Sequence, residues 1–114
     1  MYDLEERLLK FSKQLLVYIK NTPVQYINKN IIDQVMRSWT SIGANYCEAN
    51  GANGRKDFSK KIHICKKEAK ETVYWLELLL AVSKNPPGEL IVILTEAREI
   101  MCIFNKIAQK VKTY

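Results

Sequence analysis

Apolar residues recur along the chain at intervals of three and four, the spacing that places side chains on one face of an α-helix. This pattern predicts four helices, at about residues 3–21, 28–50, 55–84 and 88–111. Segments rich in Asn, Gly and Pro at positions 21–23, 51–54 and 85–88 separate them. No segment alternates convincingly between apolar and polar residues as a strand does. We therefore expect a single all-α domain, an antiparallel up-down-up-down four-helix bundle with short connections.

The second predicted helix carries polar residues close to its apolar stripe. Four of them follow one another at spacings of three, four and three, which places them near one helical face. Unpaired buried polar groups cost roughly 1–3 kcal/mol each, so we expect these groups to be satisfied inside the bundle. Arg37 or Arg55 is the expected charged partner of Glu48. We call this set the polar seam: Arg37, Ser38, Ser41, Asn45 and Glu48.

Gly43 lies in the middle of the same predicted helix. A glycine inside a helix lowers its stability by about 1 kcal/mol relative to alanine. The close approach of a neighbouring helix would explain this residue, so we expect tight packing at Gly43.

The third predicted helix has two contrasting faces. Apolar and small residues from Phe58 to Ser83 keep a four–three alternation over more than three heptads, which is the geometry of a bundle or coiled coil. The opposite face is basic, and residues 55–70 contain seven Lys or Arg against two acidic residues. We call the following set the basic face: Arg55, Lys56, Lys60, His63, Lys67 and Lys70.

The basic face has two interpretations. Most charged helical faces are simply solvated. Here the signs are segregated, and Arg55 and Lys56 lie at a helix N-terminus, where cations are unfavourable. The chain has a net charge of +6, which favours polyanionic partners. Phosphate binding and solvation both remain open, and Tyr74 at the end of the line is suited either to stack on an unpaired base or to pack in an interface.

Towards its C-terminal end the third helix is apolar on all sides. Trp75 and Leu78 point away from the heptad stripe, and a helix that is apolar all round is normally buried all round. The fourth helix also has a wider apolar stripe than one seam requires. We expect further copies of the chain to cover this surplus, with Trp75 and Leu78 in the oligomer interface.

Few residues suit catalysis or metal binding. Cys47, Cys65 and Cys102 are widely spaced and His63 is the single histidine, so buried reduced thiols are expected rather than a zinc site. Cys65 and His63, two residues apart on a helix, face different directions. Phosphate-binding-loop, zinc-protease and nucleophile-elbow motifs are absent from the sequence. We expect no enzymatic activity, no metal and no cofactor.

The composition is that of a soluble globular protein, with 47% hydrophobic and 26% charged residues among 114. Apolar runs are far shorter than the roughly 20 residues that span a bilayer. The first residues alternate acids with leucines, unlike a signal peptide. We therefore expect a cytoplasmic protein with no membrane partner.

Several short motifs follow one another across most of the chain: Arg37-Ser38, Ser41-Ile42-Gly43-Ala44-Asn45, Glu48-Ala49, Gly51, Arg55-Lys56-Asp57-Phe58, Lys66-Lys67-Glu68-Ala69-Lys70-Glu71 and Tyr74-Trp75-Leu76. Together they resemble the four-helix bundle family named after the 23S ribosomal RNA intervening-sequence protein. Gly54 departs from the pattern, because such sequences usually carry a serine there, and this predicts a weaker cap on the third helix. Accessory proteins of diversity-generating retroelements resemble the same family.

The resemblance implies a homo-oligomer, with a pentameric ring as the favoured state. It is compatible with two functions. The first is a non-enzymatic accessory protein that binds RNA or another nucleic acid through its basic face. The alternative is a protein-interaction scaffold that partners a reverse transcriptase or another nucleic-acid enzyme. Similarity of fold alone does not separate the two.

Overall fold

A computed structural model describes residues 3–84 and 87–111. The described residues form four α-helices and no strand: α1 (Leu4–Lys20), α2 (Lys29–Asn50), α3 (Arg55–Val82) and α4 (Gly88–Lys110). The predicted all-α four-helix bundle is confirmed, and each observed helix boundary lies within two residues of the predicted one. Of the predicted break at positions 85–88, Asn85 and Pro86 lie outside the described residues.

Local sequence explains where α1 begins and ends. Asp3 caps its N-terminus, where the carboxylate accepts a hydrogen bond from the Glu6 backbone N–H at 3.2 Å. Acidic residues in the first turn and Lys20 in the last turn suit the helix dipole. Pro23 then favours an extended conformation in the residue before it, which prevents the helix from continuing.

The four helices pack in a ring. Helices that follow one another along the chain are neighbours, and α1 also contacts α4. The backbones of α2 and α3 lie closest to each other, whereas α1 lies further from both of its neighbours. Small buried side chains explain the close approach of α2 and α3, among them Ser38, Ala49, Ser59 and Ala69. The whole bundle measures 46 × 28 × 19 Å.

Large apolar side chains from all four helices fill the centre of the bundle. Phe11, Ile42, Leu76 and Phe104 are among those that are almost completely buried. Burial of each such side chain contributes about 1.5–3 kcal/mol. Trp39 packs edge-on against Phe11 with ring centroids 4.4 Å apart. Its indole N–H donates to the Ser12 hydroxyl at 2.6 Å, so this buried polar group is satisfied.

The connection between α1 and α2 is held by one buried side chain, Asn28. Its carbonyl oxygen accepts from the Gln25 backbone N–H at 2.7 Å, and its amide donates to the Pro23 carbonyl at 3.2 Å. This connection presents Tyr26 fully to solvent, with Val24 and Ile27 also exposed. The loop thus has an ordered base and an apolar outer surface.

Two expectations about burial are wrong. Only Cys65 is buried, whereas Cys47 and Cys102 are exposed. The position of a residue around its helix decides whether it faces the core, and here this outweighs the usual preference of cysteine for the interior. Burial raises the pKa of the Cys65 thiol to about 12, which leaves it protonated at neutral pH. Gly43 is not close-packed against the described residues, since a Cβ there would meet none of their atoms within 4 Å.

Candidate nucleic-acid interface

The outer surface of α3 carries an exposed line of lysines. Lys56, Lys60, Lys67 and Lys70 are all exposed. With His63 between them, successive members are four, three, four and three residues apart. These spacings average close to the helical repeat of 3.6 residues, so the line stays on one side of the helix. It extends for about 21 Å at a rise of roughly 1.5 Å per residue.

His63 is the least exposed member of this line. Its ring Nδ1 lies 2.8 Å from the Ser59 backbone carbonyl, one turn earlier in α3. Because a carbonyl only accepts, Nδ1 carries the proton in this contact. The imidazole is therefore oriented along its own helix and is half-buried.

Arg37 on α2 neutralises the acidic side of α3. Its guanidinium lies 3.2 Å from a Glu68 carboxylate oxygen and 2.6 Å from a Glu71 carboxylate oxygen. The hydrogen bond to Glu71 is the main reason that the pKa of Arg37 is raised. Glu68 is 7% exposed, so its charge needs this partner. The two carboxylates are thus drawn towards α2 and away from the lysines.

The lysines on the line have no such partners. None of the ion pairs between described residues involves Lys56, Lys60, Lys67 or Lys70. These four lysines are therefore not neutralised by direct ion pairs with other described residues. An exposed row of such cations is suited to contact a polyanion.

Arg55 occupies the first position of α3, at one end of the line. No side chain caps this helix, and Gly54 precedes it with a φ of +91°. The weaker cap predicted for α3 is therefore observed. Arg55 lines a cleft of about 700 Å³ together with Phe58 and Lys110. Two cations from different helices therefore line the same cleft, next to the start of α3.

Tyr74 lies at the opposite end of the line. Its side chain is 55% exposed. The ring contacts Trp75 edge-on, with centroids 5.1 Å apart and an interplanar angle of 74°. The half-buried Trp75 packs against the core, so Tyr74 is supported from one side and open to solvent.

The polar seam divides into an inner and an outer part. Ser38 is completely buried, and its hydroxyl lies 2.8 Å from the Thr72 hydroxyl on α3. Ser41 and Asn45 are half-buried, and the Asn45 amide donates to the Ser41 carbonyl within α2. Glu48 is exposed and pairs with Lys61 at 3.2 Å.

The expectation that Glu48 pairs inside the bundle with Arg37 or Arg55 is therefore wrong. Spacings of three, four and three residues average less than the 3.6 residues of one helical turn. The ten residues from Ser38 to Glu48 therefore fall short of three full turns, and Glu48 lies about 80° around the axis of α2 from Ser38. Arg37 instead serves Glu68 and Glu71. That role was missed, although two acids three residues apart on α3 indicate a shared cation.

Part of the exposed apolar surface lies on α1, outside the two helices expected to form the interface. Trp75 and Leu78 are both half-buried, and the buried indole N–H of Trp75 has no hydrogen-bond partner among the described residues. Large apolar side chains that are about half exposed or more occur instead on α1 and at the start of α4, namely Leu9, Leu16, Val17, Ile91 and Val92. The wide apolar stripe of α1 was the available sequence signal for this surface.

The described residues contain neither a metal-binding cluster nor a membrane-spanning helix. No group of three or more His, Cys, Asp or Glu side chains in residues 3–84 and 87–111 could hold a metal ion. No described helix combines the length and apolar character needed to cross a bilayer.

A comparison with known families matches residues 3–106 to the family described as "23S rRNA-intervening sequence protein". The chain belongs to this family. The predicted relationship is thereby confirmed over most of the sequence. The family is described by an intervening sequence of 23S rRNA and not by a reaction.

A solved structure supports membership of this family. It is a crystal structure of a protein of unknown function from the S23 ribosomal protein family of Bacteroides thetaiotaomicron VPI-5482. The two proteins share 33% sequence identity, with 93% of this chain and 98% of that chain covered and a TM-score of 0.77. No curated protein matches the chain.

Proposed function

We propose that this family member is a non-enzymatic, oligomeric accessory protein that binds RNA through the basic face of α3. One observation carries the proposal: four exposed lysines form a line that makes no ion pair with the described residues, while Arg37 pairs with Glu68 and Glu71 of the same helix. The net charge of +6 and the rRNA in the family description favour RNA as the polyanion. DNA offers the same phosphates and is expected to bind as well.

The chemistry of the line favours recognition of the backbone rather than of base sequence. A lysine ammonium is a point charge and lacks the planar fork with which arginine reads a guanine edge. Phosphate contacts fix position without conveying sequence. We therefore propose weak sequence preference and an affinity that falls steeply as salt rises, because bound counterions are released.

A double charge reversal tests the proposal. Lys60→Glu/Lys67→Glu should weaken binding of both RNA and DNA by at least about tenfold at low salt, because two phosphate contacts become repulsive. Binding is measured by fluorescence anisotropy over a salt series. The log–log salt slope should also become shallower by roughly 2, one for each lost contact.

The matched control is Lys13→Glu/Lys20→Glu on α1. These lysines are also exposed and seven residues apart, so the change in net charge and in spacing is the same. Circular dichroism verifies that both variants keep their helices. Equal losses in the two variants would indicate a general effect of charge. An unchanged affinity of the α3 variant would reject the proposal.

The alternative function, a scaffold for a reverse transcriptase or another nucleic-acid enzyme, is favoured by a different observation. Apolar side chains on α1 and at the start of α4 are exposed to solvent, and contiguous apolar surface often marks a protein interface.

We propose that part of the bundle surface joins copies of the chain, with Leu78 and Trp75 at the contact. Retention of RNA by the purified protein separates RNA binding from a pure scaffold.

A further inference from the structure

We infer that the basic face takes single-stranded rather than double-stranded nucleic acid, with the Tyr74 ring stacking on an unpaired base. This inference rests on the proposed function and adds the class of ligand to it. It depends on where Tyr74 lies, on how open its ring is and on the shape of the lysine line.

Tyr74 continues the line of lysines. It lies four residues beyond Lys70 and eighteen residues beyond Lys56, and eighteen residues correspond to about five complete helical turns. Its Cα is therefore on the same side of α3 as that of Lys56, about 6 Å further along the axis than Lys70. A strand that follows the lysines reaches Tyr74 next.

The Tyr74 ring is open enough to stack. In an edge-to-face contact the partner covers at most one face of a ring, so Trp75 covers no more than one face of the Tyr74 ring. Tyr74 is 55% exposed, and the Trp75 indole that its ring contacts packs against the core. Among the described residues the other strongly exposed aromatic side chain is Tyr26, which lies on the α1–α2 connection and not on α3.

Stacking discriminates between single strands and duplexes. A base in a duplex is already stacked on both sides, and unstacking it opposes contact with the ring. An unpaired base presents its face without that penalty, and aromatic rings with cations are the usual components of single-strand sites. A flexible strand can also follow a straight row of cations, whereas the phosphates of a duplex wind away from it.

The experiment compares one labelled, unstructured RNA strand with the same strand annealed to its complement. The parent protein should bind the single strand more tightly at equal salt. Tyr74→Ala should weaken single-strand binding by about 5- to 100-fold, the range expected for one stacked base, and change duplex binding little. Tyr74→Phe keeps the ring and should bind like the parent.

Light scattering on Tyr74→Ala provides a control for assembly. If the oligomer of the variant has the mass of the parent oligomer, the loss of binding is due to the missing ring. If its mass is lower, Tyr74 lies in an interface between copies and the inference is overturned. Equal affinity of the parent for strand and duplex, or full binding by Tyr74→Ala, would also overturn it.

The Lys60→Glu/Lys67→Glu variant distinguishes this inference from the proposal on which it rests. If that variant loses both ligands while Tyr74→Ala loses neither, the basic face binds nucleic acid and the stacking inference fails alone. If the lysine variant keeps both ligands, the proposed function fails, and the inference fails with it.

Discussion

At the scale of the residue, Gly43 and Gly54 differ in whether their backbone conformation requires glycine. Gly43 lies in a regular part of α2, and a Cβ there would meet no atom of residues 3–84 and 87–111 within 4 Å. Gly54 has a φ of +91°, a conformation that residues with a side chain rarely adopt. The first glycine is therefore replaceable within the isolated bundle, whereas the second forms the turn from which α3 starts.

Alanine substitutions should change stability in opposite directions at these positions. Gly43→Ala should raise the free energy of unfolding by up to about 1 kcal/mol, because alanine loses less backbone entropy in a helix. Gly54→Ala should lower it by about 1–3 kcal/mol through backbone strain. Urea denaturation followed by circular dichroism measures both. A destabilised Gly43→Ala protein would contradict the open space seen above that residue.

At the scale of the element, an ion pair joins α1 to α4. Arg7 donates to both carboxylate oxygens of Glu96, from Nε and from Nη2, each at 2.7 Å. This contact lowers the pKa of Glu96 below its reference value of 4.5. A carboxylate whose pKa is lower in the folded state contributes stability above the unfolded pKa, and that contribution is lost as the pH falls.

Removal of Arg7 should therefore have a pH-dependent effect. Arg7→Met should lower the free energy of unfolding by about 1 kcal/mol at pH 7, as expected for a partly buried bidentate pair. The difference from the parent should shrink as the pH falls below about 4.5, since Glu96 is then protonated in the unfolded chain. Thermal unfolding at several pH values measures this.

The control for that measurement is Arg98→Met. Arg98 pairs with Glu77 at 2.7 Å, but both side chains are about half exposed. Water therefore screens this pair, and its removal should cost less at pH 7. A difference between parent and Arg7→Met that is constant with pH would contradict the role given to Glu96.

The helices also show which features a sequence can predict. Positions 56 to 74 on α3 have spacings that average the helical repeat, so they stay in line, and the exposure of all of them except the half-buried His63 was predictable. The polar seam has shorter spacings, and its last member, Glu48, rotates out of the interface. Periodicity thus locates a face over many turns only when its period matches the helix.

Partners across helices were harder to predict than faces. The pairing of Arg37 with Glu68 and Glu71 depends on how far α2 is displaced along α3, which no local pattern specifies. The open space at Gly43 depends likewise on where α1 lies. The position of a side chain around its own helix can be predicted from the sequence of that helix. Its contacts depend in addition on how a second helix is placed against it.

At the scale of the whole molecule, we expect the bundle to form a closed oligomer larger than a dimer at tens of micromolar, roughly the range in which interfaces of standard size are occupied. Light scattering measures its mass. Leu78→Glu should lower that mass, because a charge in an apolar contact is costly. Leu78 is preferable to Trp75 for this test, since Trp75 packs against the core and its loss would also unfold the bundle.

Leu16→Glu on α1 is the matched control. Leu16 is 48% exposed, so we expect the isolated bundle to tolerate the substitution. The mass should stay that of the parent. If Leu16→Glu dissociates the oligomer and Leu78→Glu does not, the interface lies on α1 rather than on α3. If the parent protein is a monomer, the proposed assembly does not form.

The wider spacing between α1 and its neighbours determines which part of the molecule opens first. Local opening requires less free energy where backbones pack less closely, so we expect α1 to detach before α2 and α3 separate from each other. The basic face lies on that more protected pair. A nucleic acid would therefore meet a preformed row of cations, and only lysine side chains, not a helix, would lose conformational entropy on binding.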